Sequence, residues 1–270
     1  MSFSIQGKTA VVTGAANGVG LAIARHFVER GANVMFADMD EARLAEELGE
    51  VRQDDDATAA YFAGDLREKL TVANLLSATL DRFERVDILV NASRQMMAAD
   101  PLNADDDAVT TLLNQNLMTS LRLTQVFAKR MIKQAEDASD DETSLGSIIN
   151  LSSIAARRTQ PHLLAYSVSS AALDQMTRSM AVALAPNRIR VNAIALGSVM
   201  SASLQDAIQE HEEFREEIID CTPLQRIASA SELAEVAQFL ASDGSRFMTG
   251  QILTVDGGRT LLDAAEAPAH

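Results

Sequence analysis

Short runs of apolar, often β-branched residues alternate along the chain with longer segments in which apolar positions recur every three to four residues. The runs Thr9–Val12, Asn33–Ala37, Ala59–Ala63, Asp87–Val90, Ser147–Leu151, Arg190–Ile194 and Gln251–Val255 predict strands. The stretches around 19–30, 41–50, 67–83, 106–135, 165–185 and 231–241 predict helices. Strand and helix in regular alternation imply a parallel sheet with helices on both faces. Uniformly apolar strands such as Ile88-Leu89-Val90 fit a sheet covered on both sides. No repeat or linker divides the chain, so residues 1–270 are expected to form one doubly wound α/β domain of about seven strands.

Two segments break the rhythm. Residues 134–146 are acidic and poor in large apolar side chains, and are expected to be a solvated loop. Residues 198–230 carry a helical pattern without a strand partner. Ligands of open α/β sheets sit beyond the carboxyl ends of the strands, so this excursion is placed to cover a substrate. The Ala-rich tail 264–270 is expected to be loose.

Composition narrows the function. Apolar residues make up 47% of 270, enough for a large core. Lys and Arg number 23 against 38 Asp and Glu, a net charge of −15. Such a chain repels nucleic-acid phosphates and anionic membranes, and neither is an expected partner. No run of 18 apolar residues predicts a membrane span. Met1–Thr9 lacks the apolar core of a signal peptide, so a cytoplasmic location is expected. The single cysteine, Cys221, excludes an intrachain disulfide, and the four histidines show no zinc-ligand spacing, so no metal is expected.

The first candidate chemistry is a turn. Thr13-Gly14-Ala15-Ala16-Asn17-Gly18-Val19-Gly20 comes directly after the first strand and leads into a helix. Glycines there let the backbone approach a pyrophosphate, and the helix start offers unpaired N–H donors. The second strand ends at Asp38, whose carboxylate can accept from both hydroxyls of an adenosine ribose and repels a 2′-phosphate. No Lys or Arg stands at Asn17 or Met39 to receive that phosphate. The expected cofactor is therefore NAD.

Taken with further positions, these residues resemble the short-chain dehydrogenase/reductase family, along essentially the whole chain. The glycine segment has that family's spacing. Asp65-Leu66 matches its adenine-contacting pair, and Asn91-Ala92 matches half of its Asn-Asn-Ala-Gly turn. Asn116 matches a helix asparagine that holds a proton-relay water. Ser153 and Tyr166 stand 13 residues apart, as the family's catalytic pair does. Thr249-Gly250-Gln251 and Val255-Asp256-Gly257-Gly258 are similar to its C-terminal signature. The resemblance implies a Rossmann-type fold and hydride transfer between a nicotinamide and an alcohol or ketone. Tyr166 would then exchange a proton with the substrate oxygen and Ser153 would orient that oxygen. Gly197, Val199 and Ser201, with Tyr166, are further cofactor contacts on the same ground. Helices around 106–135 and 165–185 would pair subunits into a homodimer or homotetramer.

The chain also departs from the pattern. Four residues after Tyr166 the family has lysine, which holds the nicotinamide ribose and favours tyrosinate. Here the position is Ser170. A free tyrosine titrates near 10, so only about one molecule in a thousand is phenolate at pH 7. Losing the ammonium is therefore expected to slow alcohol oxidation by about three powers of ten and carbonyl reduction less. On this view Ser170→Lys raises turnover about tenfold or more. Arg94, Arg157 and Arg158 are cations that can point into the site or lie on the surface. Arg94 replaces the glycine of the family turn, and Leu196-Gly197 replaces a Pro-Gly pair. The adenosine half of the site is intact and the nicotinamide half altered.

The sequence supports two readings. One is an attenuated NAD-dependent oxidoreductase acting on a small, mostly apolar alcohol or ketone, with Met96, Met97, His162, Leu163, Leu164 and Met200 as pocket walls. The other is a catalytically impaired NAD-binding protein serving as a partner or regulatory subunit. Turnover separates them.

Overall fold

The computed structural model describes residues 3–49, 57–134, 136, 144–200, 204–205, 208–209 and 211–263. Seven parallel strands form one sheet in the order β3-β2-β1-β4-β5-β6-β7. They are β1 (Thr9–Thr13), β2 (Asn33–Asp38), β3 (Ala59–Ala63), β4 (Ile88–Asn91), β5 (Gly146–Ser153), β6 (Ile189–Leu196) and β7 (Ile252–Val255). The chain starts mid-sheet at β1, winds outward to β3, returns beside β1 as β4, and winds the other way. The reversal leaves a crevice between the carboxyl ends of β1 and β4.

Alternation of side chains along the strands divides the core in two. Ala10, Val12, Val34, Phe36, Ile88 and Val90 face one side. They pack against α1 (Gly18–Glu29) and α2 (Glu41–Leu48), and at the far end of the sheet against Ala230–Ala241. Val11, Met35, Leu89, Ile148 and Val191 face the other side. There they meet α3 (Lys69–Phe83), α5 (Thr119–Gln134) and α6 (Leu164–Leu184). The short helix α4 (Ala108–Leu112) precedes α5; α7 (Glu213–Asp220) and α8 (Ala230–Ala241) come after β6.

The expected elements are present, with boundaries shifted by up to two or so residues. The stretch predicted around 106–135 is helical from Ala108 to Gln134, with a π-helical turn at Leu113–Met118 between α4 and α5. Such a turn inserts one extra residue and rotates α5 relative to α4, a feature that apolar spacing does not reveal. Within 198–230 the structure shows α7 and a bridge pairing Val199 with Ala228, which ties the start of the excursion to its end. Most of the acidic segment within 134–146, and all of 264–270, lie outside the described residues.

Among the described residues no helix is long and apolar enough to cross a membrane, and no cluster of His, Cys, Asp or Glu is arranged to hold a metal ion.

Candidate active site

The glycine turn lies at the carboxyl end of β1. Gly14 and Gly18 take φ of +67° and +56°, a region that side chains disfavour. A Cβ on Gly14 would also lie 2.8 Å from the Ala92 carbonyl oxygen and from Ser93 Cα. Thr13 explains why the two turns stay so close. Its Oγ1 accepts from the backbone N–H groups of Ala92 (3.0 Å) and Ser93 (3.1 Å). The turn after β4 is thereby fastened to the turn after β1. In the sequence Thr13 is legible only as part of the glycine motif; its bonding role comes from the fold.

α1 starts without a cap. The Asn17 side chain makes no capping bond, and the first turn holds no acidic residue. The opening N–H groups, of Gly18, Val19 and Gly20, lack intrahelical acceptors by the geometry of any helix start. This is a donor set suited to a pyrophosphate. Asp38, at the end of β2, accepts from Ala16 N–H on Oδ2 and from Asp40 N–H on Oδ1, each at 3.1 Å. A carboxylate has about four lone-pair directions, so two remain for ribose hydroxyls. These features fit the adenosine and pyrophosphate parts of a dinucleotide.

Other expected cofactor residues have additional partners. Asp65 is clasped by Arg67, with Nη2 to Oδ2 at 2.6 Å, and that hydrogen bonding holds its carboxyl below the usual carboxylate range. Leu66 beside it is buried. The Asn91 side chain is used inside the fold, donating to Asn150 Oδ1 at 2.8 Å. Ala92 contributes backbone to the turn just described. Gly197 sits where a Cβ would be 2.4 Å from Ile154 Cδ1, and its N–H bonds Val255 O at 3.2 Å. Val199 is buried beside it, and Ser201 lies outside the described residues.

The reaction half is built by β5, the π turn and α6. Ser153 ends β5 and is buried, with Oγ accepting from Ala155 N–H at 3.1 Å. Tyr166 lies in the first turn of α6, half-buried against the cluster of Ala99, Ala108, Leu112 and Ala165. Asn116, in the π turn, bonds Gln95 through both side-chain atoms at 2.9 Å and donates to Ser169 Oγ at 3.2 Å. It locks the loop after β4 to α6. Ser169 in turn donates to the Tyr166 carbonyl at 3.0 Å, a link that sequence reading misses.

Ser170 is buried, and the space around it is filled. Arg94 Nη2 donates to Ser170 Oγ at 3.2 Å, Nη1 donates to Ser152 O at 2.5 Å, and Cζ stands 4.9 Å from the Tyr166 ring centroid. The other two candidate cations point elsewhere. Arg157 bonds Thr254 Oγ1 at 3.3 Å and Arg158 bonds the Thr260 carbonyl. Asp174, one turn beyond Ser170, is buried and accepts from Ser152 Oγ at 2.5 Å. Burial pushes its carboxyl above the usual range, against the pull of that hydroxyl and of Arg157, Arg178 and Arg94.

Comparison with known proteins places the whole chain in one family. Residues 14–260 match the family profile described as enoyl-(acyl carrier protein) reductase. Galactitol 2-dehydrogenase (L-tagatose-forming) of Cereibacter sphaeroides is 33% identical over 266 residues, 96% of this chain and 97% of that protein. The solved 7α-hydroxysteroid dehydrogenase complexed with NADH and 7-oxo glycochenodeoxycholic acid superposes with a TM-score of 0.85 at 28% identity, over 95% of this chain and 96% of that one. A gluconate 5-dehydrogenase from Burkholderia cenocepacia, in complex with NADP and tartrate, gives 0.86 at 28% identity, over 97% and 98%. With profile and relatives running nearly end to end, and a glycine turn, serine and tyrosine set on one crevice, this chain belongs to the short-chain dehydrogenase/reductase family of oxidoreductases.

Proposed function

We propose that the protein is an NAD-dependent oxidoreductase that interconverts a small, mostly apolar alcohol and its ketone. The observation that carries this is an uncapped helix start held to Asp38 at one end of the crevice, with a half-buried tyrosine on α6 at the other. Gly14, Asn17, Gly18, Val19 and Gly20 hold the pyrophosphate; Asp38 holds the adenosine ribose; Asp65, Leu66, Asn91 and Ala92 border the adenine end. Gly197, Val199 and Ser201 border the nicotinamide end. The bound nicotinamide supplies or accepts the hydride. Tyr166 Oη gives a proton to the substrate oxygen in reduction and takes it back in oxidation. Ser153 fixes that oxygen. The segment 198–230 closes over the substrate.

The test is NADH oxidation with ketones and NAD reduction with alcohols. The panel includes a ketosteroid, a keto sugar acid and galactitol, the chemistries named for its relatives. Turnover supports the proposal. NADH binding without turnover across the panel favours the impaired, partner-type protein instead.

The cofactor choice makes its own prediction. NADH is expected to bind at least about tenfold tighter than NADPH, because Asp38 repels a 2′-phosphate. Asp38→Asn is expected to narrow that gap, as read by fluorescence titration with both nucleotides. Equal affinities for wild type would overturn the NAD assignment.

We also propose a homodimer or homotetramer built on α5 and α6. On α6, Leu164, Val168 and Val182 are exposed apolar side chains. Sedimentation is expected to give two or four copies, and Val182→Asp to shift the distribution towards smaller species. A wild-type monomer at micromolar concentration would exclude it.

A further inference from the structure

Ser170 and Arg94 are 76 residues apart in sequence and in hydrogen-bond contact in the fold. The guanidinium enters from the turn after β4, where a glycine turn would carry no side chain, and lies over the face of Tyr166. We propose that Arg94 is the positioning cation of the proton-transfer site, delivering from that turn the positive charge that position 170 lacks, with Ser170 and the Ser152 carbonyl holding it in place. The inference rests on Tyr166 as the proton-exchanging group.

A cation over an aromatic ring is attracted to its face, and the attraction grows when water is displaced. The phenolate ring carries a full negative charge, so a fixed cation favours it over the neutral phenol. Guanidinium suits this task because it stays charged at every working pH. In alcohol oxidation Tyr166 would act as tyrosinate, its Oη taking the proton of the substrate hydroxyl, and a nearby cation eases that transfer by favouring the tyrosinate.

Asp174 is buried one turn along α6 and balances part of the guanidinium's charge, with Arg157 and Arg178 also acting on it. Tyr166 packs against the apolar cluster of Ala99, Ala108, Leu112 and Ala165. Arg94 Nε is buried with no hydrogen-bond acceptor among the described residues.

The geometry also reverses the expected effect of Ser170→Lys. The gain expected from sequence requires vacant space beside position 170. A lysine there would bring its ammonium against the guanidinium that now bonds Ser170. Arginine with serine, or a small residue with lysine, are the two compatible pairs.

The chain has two tyrosines and no tryptophan, which permits a readout that needs no substrate. In Tyr61→Phe protein the ultraviolet tyrosinate band reports Tyr166 alone. It is compared at one alkaline pH, within the range where circular dichroism is unchanged, for Arg94, Arg94→Lys and Arg94→Gln. Arg94→Gln is expected to show about tenfold less tyrosinate, and Arg94→Lys to recover most of the band. Equal bands for Arg94 and Arg94→Gln overturn the proposal. Should Arg94→Gln not fold, Arg94→Met serves in its place.

Turnover gives a second check. Arg94→Gly is expected to lower kcat more than it changes KM, Ser170→Lys alone to lower kcat, and the two together to recover it to within about threefold of wild type. A double variant no better than Arg94→Gly overturns the exchange. Activity retained by Tyr166→Phe would remove the underlying assignment itself. An inactive Tyr166→Phe beside an unchanged Arg94→Gln removes only the role of Arg94.

Discussion

Tyr166→Phe is expected to lower turnover by about a thousandfold while leaving NADH affinity within about twofold of wild type. The substitution deletes one oxygen and keeps everything else that places the ring. Phenylalanine has nearly the same volume, so the packing against the cluster of Ala99, Ala108, Leu112 and Ala165 persists. The bond from Ser169 Oγ ends on the backbone carbonyl of residue 166 and survives. The ring face under the Arg94 guanidinium survives as well. Only the proton-exchanging hydroxyl is lost, and a positioned acid–base group contributes about 10²–10⁴-fold. On the proposed reading NADH is held at the opposite end of the crevice, by Asp38 and the start of α1. A variant that keeps more than about a tenth of wild-type turnover contradicts the role of Tyr166. One that loses NADH binding contradicts the separation of the crevice into an adenosine end and a reaction end.

Much of this architecture is readable from local pattern, and the limits of that reading have physical causes. β4 is an uninterrupted apolar run because helices cover both of its faces, so its type and position are plain. β5 extends to Ser153, beyond the apolar run ending at Leu151, because Ser152 and Ser153 still pair with Ala195 and Leu196 of β6. Backbone pairing continues where hydrophobicity stops, and hydrophobicity is what the pattern reports. The π turn leaves no trace in apolar spacing, yet it belongs to the segment that carries Asn116.

The site divides in the same way. Gly14 and Gly20 matter through backbone that admits no side chain, and Asp38 through a carboxylate that bonds the neighbouring turns; their residue types announce them. Asp65 reads from sequence as a cofactor contact, and nothing in the pattern singles out the arginine two positions on that clasps it. Arg94, Arg157 and Arg158 have equal claims on the site from sequence alone. What separates them is where β4, β5 and β7 lie relative to α6, which is tertiary information. Ser170, where the resemblance implies lysine, reads from sequence as a lost charge, and the Arg94 guanidinium that bonds it comes from a distant turn.

The other large effect is expected at Gly20, for a reason distinct from the one usually given for glycine. Gly20 is not in the left-handed region; it lacks room. A Cβ there would lie 2.1 Å from the Gly14 carbonyl oxygen and 2.8 Å from its carbonyl carbon. These are backbone atoms, and they cannot swing aside as a flexible side chain would. Gly14 is itself hemmed in by Ala92 and Ser93, whose N–H groups are bound to Thr13. Gly20→Ala must therefore push α1 away from β1 or distort the turn between them. The cost is about 3 kcal/mol, or roughly 10 °C in Tm for a chain of this size. Because the displaced atoms include the pyrophosphate donors, NADH affinity is expected to fall by about thirtyfold or more. Gly7→Ala is the natural comparison. Gly7 has φ of +72° but nothing within 4 Å of its would-be Cβ, so its substitution carries only the conformational cost, about 1 kcal/mol. If the two variants lose stability equally and both bind NADH normally, close packing of helix on strand is not what position 20 provides. If Gly20→Ala alone loses both Tm and NADH, then one contact between α1 and the turn after β1 sustains fold and cofactor site together.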